Sequence, residues 1–268
     1  MEQDISKNTF GTLYVVATPI GNLKDITLRA LEIFKSVDMV ACEDTRVGGF
    51  LLHHFEIKKP LVSYFQHSKM TKIDYIIDEL KNGKNIALIT DAGTPGISDP
   101  GQALIQKIRD IDHLSLPISH LNEKSSNDKL MNNEKCKIPI IPIPGVTALA
   151  AAVSVSGMVE KSFYFAGFLP KKKGRQTEFK FYKTLDCPIV VYESAMRLEK
   201  TLLDIQNFLG EETEVFISRE ITKMHEEYWG GNVSEIISDL KNHQMKGELV
   251  LIIKQIKAKK AKKEMSDK

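Results

Sequence analysis

The sequence predicts an α/β protein made of two α/β domains. Short β-rich apolar runs alternate with segments whose apolar residues recur at helical spacing. Polar or Gly/Pro clusters follow those runs repeatedly, and the alternation starts afresh near residue 162. A length of 268 residues accommodates two mid-sized domains, and 42% hydrophobic content is ordinary for a chain that buries a core, which excludes disorder throughout.

The first strand is expected over residues 12–18 (TLYVVAT), closed by Pro19 and Gly21, with a helix over 25–34. Residues 39–42 form the second strand, cut off by the polar Glu43-Asp44-Thr45-Arg46, and 61–64 a third. A helix over 73–80 leads to a buried strand at 85–90, a turn-rich loop and a helix over 102–110. Strands and helices alternating in this way imply parallel βαβ units. The polar stretch 113–137 has no sustained period and reads as a surface insertion. Prolines at 139, 142 and 144 restrict the next strand to a short one bent at its end. A small-residue helix covers 147–156. Further strands are expected at 163–167, 188–192, 214–218 and 248–253, with a helix over 195–209 stopped by Gly210. These assignments give an N-terminal domain 1–160, a C-terminal domain 161–253 and a Lys-rich tail 254–268, with the boundary near 157–162.

Charge is unevenly spread. With 37 Lys and Arg against 35 Asp and Glu, the net charge is only +2. Yet residues 254–268 carry seven lysines and two acids, and residues 169–183 (LPKKKGRQTEFKFYK) six bases and one acid. The rest of the chain is therefore eight charges negative, and the internal basic island, broken by Gly174, suits an anion-binding loop. Three cysteines, far apart and odd in number, exclude a disulfide framework and suggest a reducing compartment. No run approaches the ~18 apolar residues of a membrane span, and the acidic start is unlike a secretory signal, so a cytoplasmic location is expected.

Four clusters follow strand ends: 19–23 (PIGNL), 43–46 (EDTR), 91–101 (DAGTPGISDPG) and 144–148 (PGVTA). Turn chemistry would explain any one of them. Four at equivalent positions point to a ligand crevice, because open α/β sheets bind ligands at the C-terminal ends of their strands. The spacing Gly96-x-x-x-x-Gly101 starts like a phosphate loop, but Gln102-Ala103 replaces the Lys-Ser/Thr pair that would hold phosphates. No G-x-G-x-x-G follows the first strand, and no G-x-S-x-G occurs. His225-Glu226 has Trp229 where a zinc protease needs its second His, and His53-His54 lacks a partner at ligand spacing, so no metal is expected. Only six of the 37 basic residues are Arg, and Arg46, Arg197 and Arg219 stand just past strand ends beside a carboxylate. Their planar forks suit either inter-element salt bridges or substrate contact.

The segments GTLYVVATPIGNLKDITLRAL, ACEDTR, ITDAGTPGISDPG, PIPGVTALAAAVSVSG, FYFAGFLPKKKGR, VYESAMRL, SREITKMHEE and KGELVLII occur in the order seen in one family. Together they resemble the small-subunit ribosomal RNA methyltransferase I family of the tetrapyrrole methylase superfamily, from about Gly11 to Ile253. The resemblance implies two α/β domains of the class III methyltransferase type, with S-adenosylmethionine in the cleft between them, and a homodimer. It implies 2′-O-methylation of a cytidine in small-subunit (16S) ribosomal RNA, as naked RNA or in the assembled subunit. Cofactor contacts would fall on Ala92, Gly93, Thr94, Ile97, Ser98, Thr147, Ala148, Tyr192 and Glu193. The strand-end clusters add Pro19, Gly21 and Asp91 to that set. RNA would be held by Lys171, Lys172, Lys173, Arg175 and Arg197. The chain departs from the family at Ala195-Met196, at Phe65-Gln66-His67-Ser68 and in the 113–137 insertion, which concerns substrate contact rather than the cofactor.

A sulfonium methyl is already activated, so such an enzyme mainly aligns it with a ribose oxygen. A 2′-hydroxyl needs a base, or a cation beside the emerging alkoxide. Glu220 or His225 is expected to take the proton, with Arg46 or Lys223 stabilising charge and Asp44 beside them. Methylation of a tetrapyrrole or other small molecule, and a non-catalytic RNA-binding role, are the competing expectations. The basic islands argue against the first, and cofactor binding would exclude the second.

Overall fold

The computed structural model describes residues 10–64, 70–114 and 137–256. Most of the expected 113–137 insertion, most of the 254–268 tail, the 65–68 stretch and Cys136 lie outside the described residues. The chain divides between Thr147 and Ala148 into two compact units, each with its own five-stranded sheet.

In the first unit β1 (Leu13–Val16), β2 (Met39–Cys42), β3 (Leu61–Ser63), β4 (Ile86–Leu88) and β5 (Ile140–Ile143) are ordered β3-β2-β4-β1-β5. Every pairing is parallel, so the C-terminal ends of all five strands share one edge. Between them run α1 (Leu28–Ser36), α2 (Thr45–His54), α3 (Met70–Lys81) and α4 (Gln102–Leu114). Every residue of β2 and β4 is buried, the signature of a parallel sheet covered on both faces. Alternate residues feed opposite cores: Ile86 and Leu88 meet Ile76, Leu80, Leu104 and Ile108, while Ala87 meets Phe34, Val40 and Leu51. Pro142 is tolerated because β5 is an edge strand.

Helix α2 is absent from the sequence-based assignment. Gly48 and Gly49 at its centre are poor helix formers, yet Gly48 lies flat against Cys42, so that a Cβ there would be 3.1 Å from the Cys42 Sγ. Close packing on β2 therefore outweighs the local propensity.

The second unit holds α5 (Ala148–Ser156), β6 (Tyr164–Phe168), α6 (Arg175–Tyr182), β7 (Ile189–Ser194), α7 (Ala195–Leu209), β8 (Glu214–Arg219), β9 (Glu227–Asn232), α8 (Val233–Asp239) and β10 (Glu248–Lys254). Its strand order is β6-β7-β10-β8-β9, and only β6 and β7 run parallel. Helix α5 packs on β10, which assigns it to this unit and sets the division ahead of residues 157–162. Strand β9 (EYWGGN), with a Gly pair and a leading acid, is absent from the sequence-based assignment; it forms the outer strand beside β8. Asn232 and Glu235 then start α8 with a reciprocal capping box.

Tyr64, 2% exposed, connects strand end to helix start in the first unit: the Leu104 N–H donates to its hydroxyl at 3.2 Å. Leu104 lies in the first turn of α4, where amide donors lack helical partners. Tyr64→Phe would leave that donor buried and unpaired, and urea unfolding should register a loss of about 1–2 kcal/mol.

Candidate active site

The four strand-end clusters of the first unit are cross-linked through the 90–101 loop after β4. Thr18 and Gly93 exchange backbone hydrogen bonds at 2.8 and 3.0 Å, which zips the loop after β1 to the loop after β4. The buried Thr18 hydroxyl adds bonds to the Thr90 and Gly93 carbonyls. Thr90 Oγ1 donates to Glu43 Oε2 at 3.0 Å, and the Asp44 amide donates to Asp91 Oδ1 at 3.0 Å, tying in the loop after β2. Thr94 Oγ1 donates to the Val146 carbonyl at 3.0 Å, tying in the loop after β5.

Two glycines make this convergence possible. Gly93 has φ +85°, a left-handed conformation that strains other residues. A Cβ on Gly145 would stand 2.8 Å from the Ala17 Cβ, so the loops after β5 and β1 approach each other only because that atom is missing. Ser98 takes the left-handed conformation without being glycine, at φ 61°. Pro19, Gly21, Asp91, Ala92, Gly93, Thr94, Ile97, Ser98 and Thr147 thus all belong to one set of loops at one sheet edge.

Asp44 and Arg46 form a close pair on the rim of that edge. Asp44 caps α2 through the Arg46 amide, and the Arg46 guanidinium reaches the same carboxylate at 2.5–3.1 Å. Side-chain and backbone hydrogen bonds from Arg46 hold the Asp44 carboxyl down at about 2. Beneath it, burial followed by the Asp91 and Asp44 charges pushes the Cys42 thiol up to about 11, leaving it un-ionised.

In the second unit, Tyr192 accepts the Leu149 amide at 3.1 Å, which anchors α5 one residue after Ala148. Glu193 is fully buried. Its carboxylate accepts Thr201 Oγ1 at 2.8 Å and the Ser194 amide at 2.9 Å, and pairs with Arg197 at 3.1 Å and more distantly with Arg175 at 3.9 Å. Arg175 is itself only 5% exposed and also grips Asp204, Thr201 and the Pro170 carbonyl. Arg197 donates to the Leu169 carbonyl at 2.7 Å. The expectation that Arg175 grips RNA therefore meets a buried guanidinium bonded within its own unit. Lys171, Lys172 and Lys173 do stand exposed on the connecting loop. Thr201 and Asp204 were not singled out in the sequence, although their spacing along α7 puts them on the face that Arg197 shares.

The turn between β8 and β9 carries the remaining candidates. Glu220 and Thr222 have φ 49° and 66°, both unfavourable for residues with a Cβ. Glu220 Oε1 accepts the Glu248 amide and the Lys223 ammonium, each at 2.9 Å, and Lys223 also reaches Glu248 at 3.0 Å. Burial would raise the Glu220 carboxyl, but these two donors hold it below the usual range. Burial would lower Lys223, but its two carboxylates raise it. His225 is exposed on the same turn. Arg219 is buried, pairing with Glu227 at 2.9 Å and with the Lys246 carbonyl, which makes it a structural link in this unit. The His225–Trp229 stretch enters strand β9 rather than a helix, and among the described residues no three His, Cys, Asp or Glu side chains converge as a metal site.

Residues 12–116 match the family model described as tetrapyrrole (corrin/porphyrin) methylases. The methyltransferase CobJ shares the fold with a TM-score of 0.62 at 13% identity, over 91% of this chain and 94% of its own. Uroporphyrin-III C-methyl transferase from Thermus thermophilus, solved with S-adenyl homocysteine, gives 0.58 at 13% identity over 90% and 97%. The two α/β units with these strand-end loops are the tetrapyrrole methylase fold of class III methyltransferases. Sequence relatives narrow the assignment. The ribosomal RNA small subunit methyltransferase I of Synechocystis sp. is 41% identical over 91% of this chain and 78% of its own length. That of Thermotoga maritima is 40% identical over 91% and 98%. The chain belongs to the ribosomal RNA small subunit methyltransferase I family.

Two measurements probe this geometry. By NMR titration Asp44 should stay ionised until about pH 2, and in Arg46→Ala its midpoint should rise but stay below the ordinary ~3.9, because the backbone amides of residues 46 and 47 still donate to it. A depressed carboxyl stabilises the fold above its unfolded value, and that contribution fades as the pH falls towards 2. Glu193→Gln should lose about 2 kcal/mol in urea unfolding, because it removes the buried carboxylate that bonds the half-buried Arg197 and faces the buried Arg175, which keeps Asp204.

Proposed function

We propose that this chain transfers the methyl group of S-adenosylmethionine to the 2′-hydroxyl of a cytidine in small-subunit (16S) ribosomal RNA. The observation that carries the reading is that relatives named as ribosomal RNA small subunit methyltransferase I align over nine-tenths of the chain, at about 40% identity. Tetrapyrrole substrates are favoured less: the solved neighbours with such names share 12–17% identity, a likeness of fold alone. The exposed Lys171, Lys172 and Lys173 also suit a polyanion better than a small pigment.

The loops after β1, β4 and β5 fit the cofactor. Gly93 and the missing Cβ at Gly145 leave bare backbone where the strand ends meet, and Ala92, Thr94 and Ser98 are small. Ala92, Gly93, Thr94, Ile97, Ser98 and Thr147 of these loops would hold it, with Pro19, Gly21 and Asp91 shaping them; Ala148, Tyr192 and Glu193 enter only through the family resemblance. The cofactor supplies a methyl group activated by its sulfonium charge. Lys223 presents a permanent positive charge, fixed between Glu220 and Glu248, that can stabilise a developing alkoxide. Glu220, kept ionised by two donors, positions Lys223 and is a weak base. His225, exposed beside them, takes the proton. Arg46 is committed to Asp44 and orders the rim of the first sheet. By the family resemblance the enzyme works as a cytoplasmic homodimer, and among the described residues no helix is long and apolar enough to cross a membrane.

Mass spectrometry of ribosomal RNA from a deletion strain should show one lost cytidine 2′-O-methyl, restored by the wild-type gene. In vitro, Lys223→Ala should lower methyl transfer on the order of 100-fold, and His225→Ala by a similar factor. S-adenosylhomocysteine affinity should be unchanged in both. Full activity in both variants would remove this turn from the mechanism, and an intact methylation pattern in the deletion strain would refute the function.

A further inference from the structure

The loop after β6 combines features that the structure explains only in part. Phe168 ends β6 with 55% of its surface exposed, although it is a large aromatic at the rim of a well-packed sheet. It does not hang free: its ring meets the Tyr192 ring edge-on at 5.5 Å and 66°, and Tyr192 also meets the Phe165 ring at 5.1 Å. Leu169, the next residue, is buried at 2%. The carbonyls of Leu169 and Pro170 are then clamped by Arg197 at 2.7 Å and Arg175 at 3.2 Å. Both guanidinium groups are fixed from beneath by Glu193, and Arg175 also by Asp204 at 2.6 Å. Immediately beyond the clamp come Lys171, Lys172 and Lys173, all exposed, before Gly174 at φ +85° turns the chain into α6. Among the described residues none of these three lysines is in an ion pair, unlike Lys84, Lys107 and Lys223.

We propose that Phe168 is a base-stacking residue for single-stranded RNA, and that Lys171, Lys172 and Lys173 contact the adjoining phosphates. The Arg175–Glu193–Arg197 cluster, built on the buried Glu193, holds the loop in the presenting conformation. An exposed π-face beside a run of free cations is the pairing that single-stranded nucleic acid requires: the face takes any base, and the cations follow the backbone. Three residues of extended chain span at most about 11 Å, so ring and first ammonium address neighbouring parts of one strand. A second copy of this chain fits the surface less well, because docking there would strip water from three unpaired positive charges. The proposal rests on the reading that the substrate is RNA and adds the residue that grips a base.

The test uses the full chain, a fluorescein-labelled cytidine-rich single-stranded RNA and anisotropy over a range of salt concentrations. Phe168→Leu, which keeps apolar bulk and loses the π-face, should bind roughly ten-fold more weakly with an unchanged salt slope. Phe168→Trp should keep wild-type affinity, which separates a lost ring from a damaged fold. The triple variant Lys171→Ala/Lys172→Ala/Lys173→Ala should lower the slope of log affinity against log salt by about 2. Calorimetry should give unchanged S-adenosylhomocysteine affinity throughout. Wild-type RNA affinity in Phe168→Leu overturns the stacking role, as does a variant that only loses self-association in sedimentation. If the triple-lysine variant alone weakens, the RNA reading survives without the stacking residue. If the wild-type chain binds no RNA, the failure lies with the substrate reading itself.

Discussion

The backbone exchange between Thr18 and Gly93 is the constraint on which the first unit's site depends. A parallel sheet delivers its strand ends to one edge but does nothing to join the loops that leave it. Here the loop after β4 is bonded to three of the other strand-end loops: after β1 through Thr18, after β2 through Asp91 and Thr90, and after β5 through Thr94. Because β4 lies between β2 and β1, with β5 beyond β1, a loop from that strand is well placed to reach every neighbour. Positive φ at Gly93, Gly96 and Ser98 lets it double back to do so. The result is a rigid rim whose polar groups satisfy one another and whose backbone stays free of bulk.

The second unit is organised around a buried negative charge instead. A lone carboxylate out of water is costly, and Glu193 survives there because a hydroxyl, an amide and two guanidinium groups surround it. The same pairing buries Arg175, holds Arg197 half-buried, and turns both to the carbonyls of the 169–170 segment. Charge that looks available for a polyanion in the sequence is therefore divided by the fold. Arginine, with its fixed fork, is used inside, and lysine, as a mobile point charge, is left outside.

How far the sequence could be read depended on which signals are local. Strands such as Met39–Cys42 and helices such as Gln102–Leu114 announce themselves by period and by the turn residues that bound them. The four strand-end clusters could be recognised as one edge because parallel topology follows from alternation. What could not be read depends on contacts distant in sequence. Helix α2 survives two central glycines only because β2 lies against them, and β9 is a strand only because β8 offers it an edge. Likewise, the commitment of Arg175 to Asp204, Thr201 and Glu193 rather than to phosphate is made by burial, which residue spacing does not report. Motifs whose order alone identified the family told nothing of Thr201 and Asp204, because those residues act on partners nearly thirty positions away.

One feature of the second sheet bears on the order in which the molecule is completed. Strand β10 occupies the middle of that sheet, between β7 and β8, although it follows both in sequence and is the last strand among the described residues. A ribosome therefore releases the outer pairs β6–β7 and β8–β9 first, each with one open edge facing a vacancy. Until Glu248–Lys254 emerges and closes both ladders at once, those edges are templates for wrong partners. The final strand is thus the keystone of this unit during its own synthesis, and it sets the moment at which Glu220 and Lys223 first acquire their Glu248 partner.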